Sequence, residues 1–254
     1  PHIDGTLDDA VCQQAAVISD FVQREPYTGQ PVSEITQVYI CYDTEHLYLG
    51  FKCFDDPQNI TAKQIARDAP LPNDDKVVII LDTFLDQRNG FWFEINPRGS
   101  KGDALLSQNG ATMNKDWDGI WQGRSSIHES GWHSEVAIPF KSLNFRPNQT
   151  TWGIKFARDI QHKLEKAYWP VANLNTHKYQ ISDAGQLVGL TGISQGIGLD
   201  IRPYALGGID QKHNERRQYI GDMGLDLFYQ ITPGLKSVLT VNTDFAQTEV
   251  DDRR

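Results

Sequence analysis

The chain has little that would tie it to a metal cluster, a membrane-spanning helix or a phosphate backbone. Of its 254 residues only three are cysteines, Cys12, Cys41 and Cys53, and none stands in a CxxC or Cys/His spacing of the kind that holds zinc. Long apolar runs are missing too. The longest unbroken one is Val77 to Leu81, far short of the roughly 20 residues a membrane-spanning helix needs. Basic charge is in deficit: 24 Lys and Arg face 33 Asp and Glu, for a net charge of −9 and a pI near 5.2. A surface of that sign repels phosphate backbones and anionic lipid, which excludes nucleic acid as a partner. The GxSxG, P-loop and HExxH signatures are absent from the sequence. At the amino terminus, Pro1-His2-Ile3 shows neither Met nor the basic and apolar stretches of a secretion signal. The expectation is that any export signal was removed or lies outside this sequence.

What the chain does have is an ordinary globular composition, 39% hydrophobic and 22% charged. Surface scaling leaves roughly 11,000 Å² exposed out of about 42,000 Å² for the unfolded chain, enough burial for a core without disulfides or metals. The dominant period is two. Ile40, Tyr42, Leu47, Leu49, Phe51 and Cys53 alternate with Tyr39, Cys41, Tyr48, Gly50 and Lys52 around the turn Asp43-Thr44-Glu45-His46, the pattern of a half-buried antiparallel hairpin. Tyr42 then pairs with Leu47, Ile40 with Leu49 and Val38 with Phe51. This register puts Cys53 and Cys41 on opposite faces and disfavours a disulfide between them, with Cys12 left open as a partner. Strands are also expected over Lys76 to Asp82, around Phe91, Phe93 and Ile95, from Trp132 to Ile138 and from Trp152 to Ile160. Turn strings such as Asn89-Gly90, Asn96-Pro97-Arg98-Gly99 and Arg146-Pro147-Asn148 separate them. The fold class is all-β, an antiparallel β-sandwich. Helix is expected only over Asp8 to Ala15 and Ile60 to Ala69.

Near Leu190 the texture loosens at Gly189, Gly192, Gly196 and Gly198. Alternating stretches follow at Leu199 to Leu206, Gly221 to Ile231 and Leu235 to Phe245, each near the length of a transmembrane β-strand. The expected boundary lies near residue 195, dividing 1–195 from a barrel-like 196–254. The closing Thr248 to Arg254 brings no turn or cap, so the chain is expected to continue in a longer protein.

The strings IDGTLDDAVCQQA, ICYDTEHLYLGFKCFDD and DDKVVIILDT resemble family 9 carbohydrate-binding modules. NGFWFEINPRGSKGDA, WDGIW, GWHSEVAIPFKSLNF, WGIKFARDI and LTVNTDFAQTEVDD are similar to large bacterial outer-membrane proteins in which such a module precedes a β-barrel region of unknown function. The resemblance implies a jelly-roll-like sandwich in the Gram-negative cell envelope, on the periplasmic or surface side of the outer membrane. It also implies a glycan ligand, with membrane contact confined to the barrel-like region. Cys12 stands where that group usually carries Trp.

Sugar recognition needs aromatic faces for the apolar C–H face of a pyranose and short polar groups for its hydroxyls. Trp92 alternates away from the Phe91 and Phe93 stripe and stands beside Glu94, Asn96 and Arg98; the other reading is that it packs under a loop. Trp117, Asp118 and Trp121 form a string that could be a clamp but reads sooner as core or hinge, and Trp169 is a loop aromatic. Trp132 and Trp152 read as core. Acidic clusters at Asp55, Asp56, Asp74 and Asp75 are candidates for a structural calcium, which takes six to eight oxygens, or else are turn carboxylates. No other cofactor is expected, although Met113, Met223 and seven His leave a haem-binding sandwich as a remote option. Glu94, Asp103 and Glu135 are the carboxylates from which a glycosidase pair would be drawn, and that needs a fixed separation. The functions in order are a non-catalytic glycan-binding module, a structural or gating domain of an outer-membrane barrel protein, and a glycoside hydrolase.

Overall fold

A computed structural model describes residues 1–171, 175, 177–195, 199–210, 218–232 and 235–242. The chain forms two compact units, Pro1–Gln195 and Gly196–Arg254. In the first, the strands are β1 (Ala16–Ile18), β2 (Val22–Glu25), β3 (Thr36–Tyr42), β4 (His46–Phe54), β5 (Lys76–Asp82), β6 (Gly90–Ile95) and β7 (Lys101–Ser107). They continue as β8 (Thr112–Asn114), β9 (Gln122–His128), β10 (Gly131–Pro139), β11 (Thr151–Ile160), β12 (Glu165–Trp169) and β13 (Gly185–Val188). A five-stranded sheet has the order β1-β3-β4-β10-β9. An eight-stranded sheet has the order β2-β12-β11-β5-β6-β7-β8, with β13 pairing to the start of β11. The pairings within both sheets are antiparallel.

The β3–β4 hairpin has the register that its alternation implies, with Tyr42 opposite Leu47, Ile40 opposite Leu49 and Val38 opposite Phe51. Its apolar stripe faces the other sheet. Trp132, Trp152, Phe51, Phe93, Phe140 and Phe156 are buried between the two layers, where Phe51 meets Phe156 edge-on at 5.7 Å and Phe140 meets Trp152 at 5.8 Å. Burying 150–250 Å² apiece, such rings dominate the packing energy. Cys53 belongs to this core, Cys41 points outward, and Cys12, Cys41 and Cys53 are all free thiols.

One buried cation ties the layers together. Arg158 of β11, 1% exposed, donates to the carbonyls of Ile35 (3.0 Å) and Phe54 (2.7 Å), to Thr36 Oγ1 (3.0 Å) and to Asp55 (3.4 Å), all at the β3 and β4 end of the opposite sheet.

Two expectations are corrected. Asp8 to Ala15 contains only a short 3-10 turn, Ala10–Gln13. Ile60 to Ala69 is not helical, because carboxylates further along the chain take its amides. Thr61 N–H donates to Asp75 at 2.7 Å, and Lys63 and Gln64 N–H each donate to Asp74 at 3.0 Å. Donors engaged this way are lost to an i→i−4 ladder.

The second unit is a three-stranded antiparallel meander of β14 (Leu199–Asp210), β15 (Gln218–Thr232) and β16 (Leu235–Val241). The expected stretches Leu199 to Leu206 and Gly221 to Ile231 fall inside strands. The third ends at Val241, and 243–245, like 248–254, lies outside the described residues. Among the described residues the sheet is open, and Ile201, Met223, Val238, Leu239 and Val241 are exposed on it. No helix among them is long and apolar enough to cross a membrane.

Candidate functional site on the outer face of the eight-stranded sheet

Along β6, Phe91, Phe93 and Ile95 point into the sandwich, so Trp92 and Glu94 point away from it. Trp92 lies between Ile80 of β5 and Ala104 of β7. With Val78, Leu106, Ala157, Tyr168 and Ile181 these side chains form a second apolar cluster on the outside of the sheet. The segment leading into β13 crosses this face. Asn109 Oδ1, at the turn after β7, accepts from the N–H groups of Ile181 and Ser182 at 2.9 Å each. At Gly110 an added Cβ would come within 1.9 Å of the Tyr179 carbonyl oxygen. Tyr179, thus placed, meets Trp92 edge-on with ring centroids 6.2 Å apart, and the Lys115 ammonium sits 5.5 Å from the indole centroid.

Besides Lys115, three lysines and three carboxylates lie around this cluster. Lys76 Nζ stands 3.0 Å from Glu94 and 3.9 Å from Asp159, and donates to the Leu71 carbonyl at 2.8 Å. Lys178 donates to Asp159. Lys155 donates to Asp183 at 2.7 Å and to the carbonyls of Gln180 and His177 at 3.2 and 3.4 Å. Its ammonium also lies 5.3 Å from the Tyr168 ring centroid. Burial lowers the proton affinity of Lys155 and of Lys178 and raises that of the Tyr168 and Tyr179 hydroxyls; the neighbouring carboxylates oppose the lysine shifts. Trp92 Nε1, Asp159 Oδ1 and Asp183 Oδ2 are buried without a hydrogen-bond partner among the described residues. Aromatic rings edged by carboxylates and ammonium groups, with a donor and two acceptors left over, are the groups that grip a hydroxyl-rich ring.

Of the ligand residues expected from sequence, only Trp92 and Glu94 share this face. Trp92 does face away from the core, but at 2% exposure it is no open platform, because Tyr179 and Ile181 cover it. Asn96 is fully buried and holds a turn: its amide donates to Asp74 and to the Gln64 carbonyl, and its oxygen accepts from Arg98 and Ser100 N–H. Arg98 is exposed at that turn. Trp121 is core, 4% exposed, with Nε1 donating to Asp103 at 2.8 Å and its ring edge-on to Phe93. Trp117 packs against Phe91 and Phe93 and covers Gly119, whose place a Cβ could not share with the indole. Asp118, exposed, pairs with Arg67, which also reaches Asp103 at 2.7 Å. Trp169 lies against Phe156. These last three indoles close the interior of the sandwich on the Phe93 and Phe156 side and do not form a clamp with Trp92.

The acidic clusters do not fit a calcium ion. Asp74 accepts three N–H donors, from Lys63, Gln64 and Asn96. Asp75 accepts from Thr61 and Gln161, Asp55 faces Arg158 and His162, and Asp56 holds Gln58 and Asn59. A cation would meet the positive ends of those dipoles. Among the described residues no group of three or more His, Cys, Asp or Glu is placed to hold a metal. Nor do the glycosidase candidates converge. Asp103 lies opposite Phe93 on the inward face, Glu94 on the outward face, and Glu135 on the other sheet, accepting from the Asp4 and Gly5 amides.

Solved structures similar to this chain include the following three. A family 9 carbohydrate-binding module from Caldicellulosiruptor kristjanssonii in complex with glucose matches at a TM-score of 0.52 and 15% identity, over 76% of this chain and 91% of its own. A family 9 module from the same organism in complex with cellotriose matches at 0.51 and 17%, over 74% and 88%. The first unit has the sandwich fold of these modules. A candidate carbohydrate-binding protein from Bacteroides uniformis matches at 0.58 and 13%, over 69% and 87%. No family profile and no curated protein matches.

Sequence reasoning missed Lys76, Lys155, Asp159, Tyr168, Lys178 and Tyr179. A signal existed for two of them: Lys155, Ala157 and Asp159 recur at period two in β11, a charged stripe on the back of an apolar strand.

Proposed function

We propose that the first unit is a non-catalytic carbohydrate-binding domain and that a glycan binds at the rim of the outer cluster of the eight-stranded sheet. There Tyr179 and Lys178 are mostly buried but reach the surface, and Trp92, Glu94 and Asp159 lie behind them. The observation that carries this reading is the fold shared with modules seen with glucose and with cellotriose. The aromatic and charged cluster supplies the matching chemistry: a ring stacks on Tyr179, and its hydroxyls meet the lysines and carboxylates. One stacked ring contributes on the order of 1 kcal/mol beyond area burial, which implies millimolar to micromolar affinity. We place the domain in the envelope of a Gram-negative bacterium, with the second unit as part of a barrel-like membrane region. Its 12- and 15-residue strands are long enough to cross a bilayer.

A second reading, a structural or gating domain that binds no sugar, is favoured by the closure of Trp92 beneath Tyr179. Titration of glucose and cello-oligosaccharides, followed by tryptophan fluorescence and calorimetry, separates the two. Saturable binding that Tyr179→Ala and Asp159→Asn each weaken at least tenfold, and that Trp117→Phe leaves intact, is the expected result. Silence toward a broad glycan panel would put the structural reading first.

A further inference from the structure

Cys12 and Cys41 line one small cavity between the amino-terminal segment and the outer face of the five-stranded sheet, together with Leu7, Tyr39, Tyr48 and Glu135. The segment is docked there by definite contacts. Glu135 accepts from the amides of Asp4 and Gly5 at 2.9 Å each, and Ser126 Oγ donates to the Gly5 carbonyl. Leu7 lies over Gly50, where an added Cβ would stand 2.5 Å from Leu7 Cδ2. β1 then joins β3 with Ala16 opposite Ile40, which brings Ala15 to the wall of the same cavity as Cys41. Cys12, in the 3-10 turn Ala10–Gln13 just before it, lines that same wall. Cys53 sits apart, inside the sandwich at 1% exposure, with its thiol pushed up to about 12 by burial.

We propose that Cys12 and Cys41 are a redox-sensitive pair that closes into a disulfide on meeting an oxidised low-molecular-weight disulfide, fastening the amino-terminal segment to the five-stranded sheet. The exchange balances. One thiol loses its proton and its sulfur attacks the oxidant's disulfide, expelling one half as a thiolate. The second protein thiol loses its proton and attacks the protein sulfur of the mixed disulfide, expelling the other half. Two electrons pass from the cysteines to the oxidant, which leaves as two thiols carrying the two protons. Burial raises both cysteines. Glu135, Asp9 and Asp8 raise Cys12 further, and Cys12, Asp43 and Asp9 do the same for Cys41, with the terminal amine opposing in each case. The thiolate fraction is therefore small at neutral pH and the exchange slow.

The test uses the full chain, fully reduced and then exposed to oxidised glutathione, with peptide mapping under non-reducing conditions. The expected product has lost two hydrogens, carries a Cys12–Cys41 cross-linked peptide and keeps Cys53 as a thiol. Closing a loop of about 30 residues raises the melting temperature by roughly 5–10 °C over the reduced protein. The rate climbs roughly tenfold between pH 7 and pH 8. C12S and C41S each lose the cross-link and the thermal shift, and C53S keeps both. A glutathione adduct that persists on Cys12 or Cys41, a cross-link to Cys53 or to a second copy, no reaction, or an undiminished thermal shift in C12S would overturn the assignment.

Discussion

On the outside of the five-stranded sheet the covering segment is held by its own backbone, with the amides of Asp4 and Gly5 on Glu135 and the Gly5 carbonyl on Ser126. On the outside of the eight-stranded sheet Asn109 fixes the backbone at one point, and side chains do the rest: Lys178 on Asp159, Lys155 on Asp183, and Tyr179 on Trp92. Backbone amides are fixed in direction and saturate the acceptor they meet. Lysines re-aim at little cost, and their closure leaves Asp159 Oδ1, Asp183 Oδ2 and Trp92 Nε1 unmatched among the described residues. A face of the first kind serves as a wall. A face of the second kind has hydrogen-bonding capacity to spend on a ligand.

The widest break in this comparison comes from Trp92→Ala. If the outer cluster is a second core, the cavity left under Tyr179 costs about 3–5 kcal/mol in urea unfolding; a loss below about 1 kcal/mol would reduce the cluster to surface decoration. Lys76→Met comes next. It leaves Glu94 and Asp159 without their shared ammonium and costs about 3 kcal/mol, and a second change, Glu94→Gln, restores part of it. By contrast Glu135→Ala, on the wall-like face, costs about 1–2 kcal/mol and speeds hydrogen exchange at Gly5, leaving the outer cluster untouched.

The smallest effect is in pH. His133, on the five-stranded sheet, is lowered from 6.5 to about 4, chiefly by burial and then by His128, 4.1 Å away between ring centroids, and by Lys52. The unfolded chain binds this proton first, so the contribution is complete above pH 6.5 and is lost as pH falls toward 4. Because the ring is partly solvated, the effect is discounted to about 1 kcal/mol. His133→Gln should flatten melting temperature against pH across that window and leave the neutral-pH value nearly unchanged.

The β3–β4 register was legible because strict alternation runs unbroken through both strands to a four-residue turn. The same logic read β5, β6, β10 and β11. It failed for β7, β9 and β12, where Asp103, Ser125 and Lys166 interrupt the apolar pattern, and for Ile60 to Ala69, whose hydrogen bonds come from Asp74 and Asp75 rather than from local neighbours. Trp92 shows where a site ceases to be readable. Its face follows from one-residue parity, but its burial depends on Tyr179 and Ile181, some 90 residues on, and no local pattern encodes that contact. The acidic pairs misled in the same way, since a carboxylate that caps a loop and one that binds a cation look alike in sequence.

Apolar side chains between two sheets resist separation but give little resistance to sliding, since their attraction is not directional. The fan of hydrogen bonds from Arg158 to Ile35, Thr36 and Phe54 has direction, and it grips the main chain of the opposite layer. It therefore acts as a shear pin. With the two layers indexed at one interior point, each outer surface can exchange its side chains without the sheets drifting past one another.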